Sequence, residues 1–561
     1  MYRFLLRVRT GSLAQPQYEL ESSGFVKHNL DHICSLRDAL YVGDGRLKIG
    51  RDAKETMHKS FGYLLGHDEN GSFWVYRDRL GTFPLFMLPD RKNQQIVFFN
   101  RFYLVKEYWS EFTADKVGFW ETVLFESTLG QRSMFANVLQ IPCASRVRIW
   151  PDLGYEIDRY WHINYEIEAN LTPKRFMGNS YALLNHVFSK LDPKRNYLVP
   201  ISGGEDSRIM AAFISKYISK TQVRAVTYGY DDRLLEYAYA KQVMCSLDFD
   251  PPKFHKLTHK SYMRNLRALA ESTGGCVSIQ NSHLFDYISN IVGYSNLDIL
   301  ACTAYSDGIL GFDATESDKK EGTMDNCQYY KILEKWKGVV EMSSDVVEAI
   351  ESDLRNLYSE WKDSSSISSI DEYIYLVERN NKFHSYLADI AREYGEIFLP
   401  FTEPELVDYY FSIPNKYRFR KLGTINMVKK YFPAISHVQS IGSLFGKEGF
   451  KRPLRFTHFK FINYLNYLTA VLAKDKVHFV NPYQTERHGY NLRKYNRPSV
   501  SSAVDYLVGR EILDASISKQ LKKIPPRNSF NHMLRYQIIN GAYVLGLFAG
   551  EDVLANQRSF S

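Results

Sequence analysis

An apolar run, NYLVPI (196–201), passes without a spacer into SGGEDS (202–207) and then into RIMAAFISKYI. Five apolar or β-favouring residues, two glycines and an amphipathic stretch read as strand, tight turn and helix. The same alternation continues. QVRAVTYGY (222–230) is a second strand, LLEYAYAKQVMCSL (234–247) a second helix, and LDILACTAY (297–305) a third strand ending in SDGILG. Strands separated by helices need crossover connections, so they predict a doubly wound parallel sheet with helices on both faces, an α/β fold.

The flanks read differently. Residues 1–165 hold short β-branched and aromatic runs such as FWVYRDRLG (73–81), PLFMLPD (84–90), QIVFFNRF (95–102) and SRVRIWPD (145–152), broken by Gly, Pro and Asp. That spacing predicts an antiparallel α+β layer structure. Thr172-Pro173 opens a helical stretch through Leu191. Beyond about residue 325 the segments are mainly helical, at 345–361, 371–392 and 530–548, and the polar stretch Asp363–Ile370 reads as a surface loop. The expected division is an N-terminal unit over 1–165 and a second over 166–561, whose part from about 325 onward is helical.

Composition removes several function classes. Among 561 residues, 71 Lys and Arg against 63 Asp and Glu leave a surplus of +8 without a basic stripe, so no nucleic-acid partner is expected. The short clusters at Lys421 and at Lys429-Lys430 read as solvated helix faces. The 6 cysteines show no CxxC spacing, which argues against zinc and against a disulfide scaffold. No apolar run reaches membrane-spanning length, and MYRFLLRVRTG lacks a signal-peptide core. A reducing cytoplasm is the expected compartment.

The chemistry concentrates in SGGEDS. A helix N-terminus offers unpaired N–H groups and a positive dipole end, and two glycines let backbone approach an anion closely. The hydroxyls of Ser202 and Ser207 can donate to phosphate oxygens. Asp206 cannot attract phosphate by its own charge, so its role there would run through Mg²⁺. The alternative is an ordinary Gly-Gly turn whose Ser and Asp cap the helix. The string is neither GxxxxGK[ST] nor GxGxxG.

SGGxDS resembles the pyrophosphate loop of the ATP pyrophosphatases, and four further blocks resemble the asparagine synthetase-like family. RAVTYGY…EYAYAKQV (224–243) is similar to the strand and helix that line its adenine pocket. YSDGILG (305–311) is similar to GSDELFG. YGEIFLPFTEPELVDYYFSIP (394–414) resembles GLExRxPFLDxxLVEFAxxLP, and GKEGF (446–450) resembles the KxGF-type segment. WVYRDRLGTFPLF (74–86) and the stretch 138–164 resemble the family's glutamine amidotransferase domain, so the likeness spans nearly the whole chain. It breaks where glutamine would be cleaved. The family's cysteine after the initiator Met is Tyr2 here, a phenol that is a poor nucleophile at neutral pH, and Cys34 is not N-terminal. The resemblance therefore implies a degenerate amidotransferase-like domain of the N-terminal-nucleophile type, in which Asp78, Arg79 and Gly81 are structural, followed by an ATP-binding synthetase domain.

The resemblance implies an ATP-dependent, AMP- and pyrophosphate-forming amide ligase. ATP would bind Ser202, Gly203, Gly204, Asp206, Ser207, Arg208 and Tyr228, and Mg²⁺ would be held by Asp206 and Asp307. Lys447 would stabilise the charged intermediate, and Glu396, flanked by apolar Ile397 and Phe398, would be a general base of raised pKa. The partners implied are a small-molecule or peptide carboxylate and ammonia or an amine, with a homodimer left open. Gly308 departs from the pattern, because the family has Glu or Tyr after the metal Asp; Tyr305 or Glu396 would have to replace it. Specialised cyclases of β-lactam synthetase or lasso-peptide type and a catalytically retired nucleotide-binding scaffold are the alternative readings.

Overall fold

The computed structural model describes residues 3–10, 16–30, 36–229, 231–258, 265–278, 281, 299–320, 322–337, 340, 342–392, 394–440, 497–516, 529–551 and 553, with backbone alone at 497–500 and 529–536. Tyr2, Cys34 and Lys447 lie outside the described residues.

The first part of the chain builds two antiparallel sheets. Its strands are β1 (Arg3–Arg9), β2 (Gln17–Ser23), β3 (Val26–Asn29), β4 (Arg37–Gly43), β5 (Gly62–His67), β6 (Phe73–Arg77), β7 (Phe86–Asp90), β8 (Gln95–Phe99), β9 (Leu139–Gln140), β10 (Ser145–Ile149) and β11 (Tyr155–Arg159). One sheet runs β2-β1-β8-β7-β9 and the other β11-β10-β6-β5-β4-β3. Period-two alternation explains their stacking. Phe4, Leu6, Val8, Ile96 and Phe98 point into a core shared with Tyr63, Leu65, Val75 and Val147 of the second sheet. Their neighbours Leu5, Val97 and Phe99 point the other way, into a larger core that continues through the rest of the chain.

The second part carries a parallel sheet of β12 (Tyr197–Pro200), β13 (Val223–Gly229), β14 (Lys253–Lys256), β15 (Ile299–Ala301) and β16 (Glu396–Phe398). The order is β14-β13-β12-β15-β16, and every pairing is parallel. Leu198, Val226 and Leu300 line one face with Ala391, while Tyr197, Val199 and Ala301 face the large core. The fold is thus α/β, with two antiparallel sheets, one parallel sheet and many helices. Among the described residues, no helix is long and apolar enough to cross a membrane.

Two readings of the sequence change. Residues 365–370 are not a surface loop: Ser365, Ser368 and Ile370 are buried. The hydroxyls of Ser365 and Ser366 both donate to the Ile163 carbonyl, at 3.1 Å each, so this polar stretch satisfies backbone groups in the seam between the two parts. The helix expected over 371–392 is interrupted. Its middle, Tyr375–His384, is a π-helical segment between Ile370–Ile374 and Ser385–Ala391. It buries Glu378, Asn380, Asn381 and Lys382, with the Lys382 ammonium donating to the carbonyls of Thr128 and Gly130. Asp78 accepts from the Thr82 amide and hydroxyl, Arg79 pairs with Asp408 at 2.5 Å, and Gly81, at φ +61°, accepts from Arg77 at its carbonyl.

A fully buried ion pair joins the two parts. Arg101 Nη2 lies 2.8 Å from Asp389 Oδ2, and both side chains are solvent-inaccessible. Burial pushes the Asp389 carboxyl up in pKa despite Arg101, Arg392 and Arg77 nearby. Replacing Arg101 with Met strips a buried carboxylate of its partner and should cost about 3–5 kcal/mol of stability. Urea denaturation followed by both tryptophan fluorescence and circular dichroism measures it, and both probes should move together because the core is continuous.

Candidate functional site

β12 ends at Pro200, and the chain reverses through Ser202–Gly204 into the helix Glu205–Ile214. Gly204 is the N-cap, with φ −81° and ψ 170°, and no side chain caps this helix. The serines brace the turn. The Ser202 amide donates to Ser207 Oγ at 3.0 Å, the Gly204 amide donates to Ser202 Oγ at 3.1 Å, and the two hydroxyl oxygens are 3.0 Å apart. Ser202 and Ser207 thus fix the backbone path through Gly203 and Gly204.

Asp206, on the first turn of that helix, is met by two other segments. β15 ends at Ala301, and Asp307 sits in the short helix Ser306–Leu310 beyond it. Because β12 and β15 are neighbours, both aspartates emerge at the carboxyl ends of adjacent parallel strands, where open α/β sheets place ligands. The third segment brings Lys421. Its ammonium donates to Asp206 Oδ1 and Oδ2 at 2.6 Å each, and also to Asp307 Oδ1. Lys421 is 4% exposed.

The electrostatics follow from burying two acids with one base. Burial raises the Asp206 carboxyl to about 6, with Lys421 opposing and Asp307 reinforcing the shift. Burial also works against ionised Asp307, but the Lys421 ammonium and its hydrogen bond outweigh it, and the Asp307 pKa falls. The same two carboxylates overcome the burial of Lys421 and raise its pKa. A fourth group, Asp313, is pushed up to about 6 by burial and by Asp307.

Backbone conformation marks the same place. Tyr305, Arg420 and Lys421 adopt positive φ of 72°, 50° and 59°. Each non-glycine residue in this region costs about 1–2 kcal/mol. Such conformations persist where the surroundings over-determine them, and here they aim Asp307 and Lys421 at one point.

Gly308 explains itself by packing. A Cβ there would lie 2.5 Å from Asn380 Nδ2 and 2.7 Å from Leu376 Cδ2, both on the π-helical segment. The buried Arg418 guanidinium donates to the Gly308 carbonyl at 3.2 Å and pairs with Glu372 at 2.5 Å, holding the segment from the other side. A side chain after Asp307 would have to displace the ends of the Asn380 and Leu376 side chains.

Other residues named from the sequence fall differently. Arg208 is buried, and its guanidinium donates to the carbonyls of Val438 and Gln439 at 2.8 and 2.9 Å, which ties the turn to the 433–440 segment. Tyr228 lies on β13, in register with His255 of β14, on the far side of β12 from Asp307. Glu396 does not join the cluster. It opens β16 opposite Ile299, at the amino end of the sheet, its side chain is 60% exposed, and it pairs with Arg195 at 2.5 Å. The burial expected to perturb it is absent. Tyr305 does not take over either: it is fully buried, and its hydroxyl points to the Gly81 carbonyl at 3.4 Å.

Lys421, read from the sequence as part of a solvated basic cluster, is instead buried on the two aspartates, because the positive charge that would face water alone is paired here. Its neighbours at positive φ leave no composition signal. Among the described residues no group of three or more His, Cys, Asp or Glu is arranged to hold a metal. Two hard carboxylates that one positive centre already reaches do fit Mg²⁺, which uses one or two carboxylates and completes its shell with phosphate and water. No protein-family model matches the chain, and no curated protein matches it.

Two variants probe this geometry. Gly308→Ala should lose about 1–3 kcal/mol through overpacking against Asn380 and Leu376, read as a lowered melting temperature. In Lys421→Met the two acids face each other without a cation, so both folded-state pKa values rise above the unfolded ones. Stability of that variant should then fall as pH increases through the range from about 4 to 7, because the unfolded chain ionises first. In the wild type the lowered Asp307 offsets the raised Asp206. Urea midpoints at pH 5 and pH 8 should separate the two proteins.

Proposed function

We propose that the chain is an ATP-dependent, AMP- and pyrophosphate-forming amide ligase of the asparagine synthetase type. A pyrophosphate-loop ATPase domain of doubly wound topology would follow an amidotransferase-like domain of the N-terminal-nucleophile type without glutaminase activity. The observation that carries this reading is the meeting of Asp206 and Asp307 on the Lys421 ammonium beside the Ser202–Ser207 turn.

In the first half-reaction a carboxylate oxygen of the substrate bonds to the α-phosphorus of ATP. The bond from that phosphorus to the bridging oxygen breaks, and pyrophosphate leaves with the electron pair. In the second, ammonia or an amine attacks the acyl carbon, AMP departs, and the nitrogen loses a proton. The chain's part is positioning and charge neutralisation. The turn presents the amide groups at the start of the helix Glu205–Ile214 to the phosphates. Lys421 supplies a compact positive charge that holds the two acids in register. Asp206 and Asp307 would hold Mg²⁺, which when bound neutralises phosphate charge. Lys447 is the further cation proposed for the charged intermediate. ATP, Mg²⁺, a carboxylate and a nitrogen donor are the proposed ligands, in a reducing cytoplasm.

One observation favours a second reading, a nucleotide-binding scaffold without turnover. Asn380 fills the space after Asp307, and Tyr305 is turned away, so neither position offers the side chain that the family pattern would place there to relay a proton. Turnover separates the two readings. Asp206→Asn should lower carboxylate-dependent pyrophosphate release by about 10²–10³-fold, the loss typical of one electrostatic contact in a transition state. Unchanged release would remove the assigned site. ATP binding without release in the wild type, across a panel of carboxylates, would favour the scaffold.

A further inference from the structure

Acyl transfer to nitrogen releases a proton, and the two residues that the sequence nominates to take it stand elsewhere. Tyr305 is turned to the Gly81 carbonyl, and Glu396 lies at the amino end of the sheet beside Arg195. The π-helical segment Tyr375–His384 supplies a different pair. The Tyr375 hydroxyl lies 3.0 Å from His384 Nε2, and the two rings are 5.9 Å apart between centres.

The pair flanks the part of the segment that meets the site. Asn380 and Leu376 pack on Gly308, the residue after Asp307. Tyr375 stands five residues before Asn380 and His384 four after it, about one turn each way in a helix bonded i to i+5. The contact between Tyr375 and His384, nine residues apart, shows that the two side chains converge along that face. Both are partly exposed, whereas Leu376 and Asn380 beside them are buried, and the Asp307 side chain is 39% exposed. A ligand can therefore reach all three.

Charge links the pair to the acids. Burial works against ionised Asp307, and after Lys421 and Asp206 the His384 imidazole is a further group that lowers its pKa. Burial, then Asp307, raises the Tyr375 phenol above its ordinary value, with Arg379 opposing. A phenol kept protonated in this way passes a proton along rather than parting with one unaided.

Resting on the ligase reading above, we propose that Tyr375 and His384 carry the proton away from the attacking nitrogen in the second half-reaction. The nitrogen bonds to the acyl carbon, and AMP leaves with the electron pair of the bond that breaks. The N–H proton passes to the Tyr375 oxygen while the phenol proton passes to His384 Nε2. The imidazole, neutral beforehand with its proton on Nδ1, becomes imidazolium and yields the proton to solvent. Tyr375 meets the nitrogen, and His384 acts through it.

The test uses the full-length protein with ATP, Mg²⁺ and acetate, benzoate, aspartate or glutamate as the acid. ATP–pyrophosphate exchange reads adenylate formation alone. Hydroxylamine traps an acyl-adenylate without help from a base, and ammonia reads the whole reaction. Tyr375→Phe and His384→Gln should each keep exchange and hydroxamate formation within about twofold, while amide formation from ammonia falls about 10²-fold or more, the loss typical of a proton-transfer group. The double variant should fall no further than either single one, because the two act as a unit. Thermal melts check folding. Undiminished amide formation in either variant, a parallel loss of exchange, or losses that multiply in the double variant would each overturn the proposal while the ligase reading stands. Absence of exchange by the wild type with every acid would overturn the ligase reading and this proposal with it.

Discussion

One ammonium group between two carboxylates organises the carboxyl-end face of the parallel sheet. Lys421 touches Asp206 on the turn after β12 and Asp307 on the segment after β15. Without it, two buried like charges at hydrogen-bonding distance would repel in a medium that screens poorly. With it, Asp307 is stabilised as an anion, while burial keeps the Asp206 pKa raised against the pull of the same ammonium. The arrangement is costly to build, because a buried pair repays its desolvation only with good geometry. The positive φ values at Tyr305, Arg420 and Lys421 are part of that cost. A chain that keeps such strain at one point keeps it for placement of charge, and the ligase proposal gives that charge a task.

The scaffold behind the cluster is unusually polar for a core. The π-helical segment Tyr375–His384 carries buried Glu378, Asn380, Asn381 and Lys382. It packs against Gly308 on one side and reaches the loop carbonyls of Thr128 and Gly130 on the other. Short π-helical insertions often accompany functional sites, since they shift side chains off the ordinary helical spacing. Here the shift places Asn380 against the residue after Asp307. The antiparallel part of the chain is thereby coupled to the site through packing and buried hydrogen bonds.

Much of this was legible in order along the chain. The strand, turn and helix around SGGEDS, the strands at 223–229 and 299–301, and the short antiparallel strands before residue 160 follow from periodicity and turn chemistry. Other features were hidden because their cause is remote in sequence. Lys421 reads as a surface lysine until Asp206, 215 residues away, is brought to it. Asp363–Ile370 reads as solvent-facing until Ile163 offers it a carbonyl to satisfy. Glu396 has apolar neighbours, yet strand register puts it at the amino end of the sheet in water, beside Arg195.

The difference lies in the range of the forces involved. Hydrophobic spacing and glycine turns act within a few residues, so the amino-acid order alone was enough for three strands of the parallel sheet and for the glycine turn that starts the helix at Glu205. Burial, ion pairing and the direction in which a side chain points depend on which segments meet. Those properties belong to the assembled chain, and they chose Lys421 over Glu396 and filled the space beside Gly308.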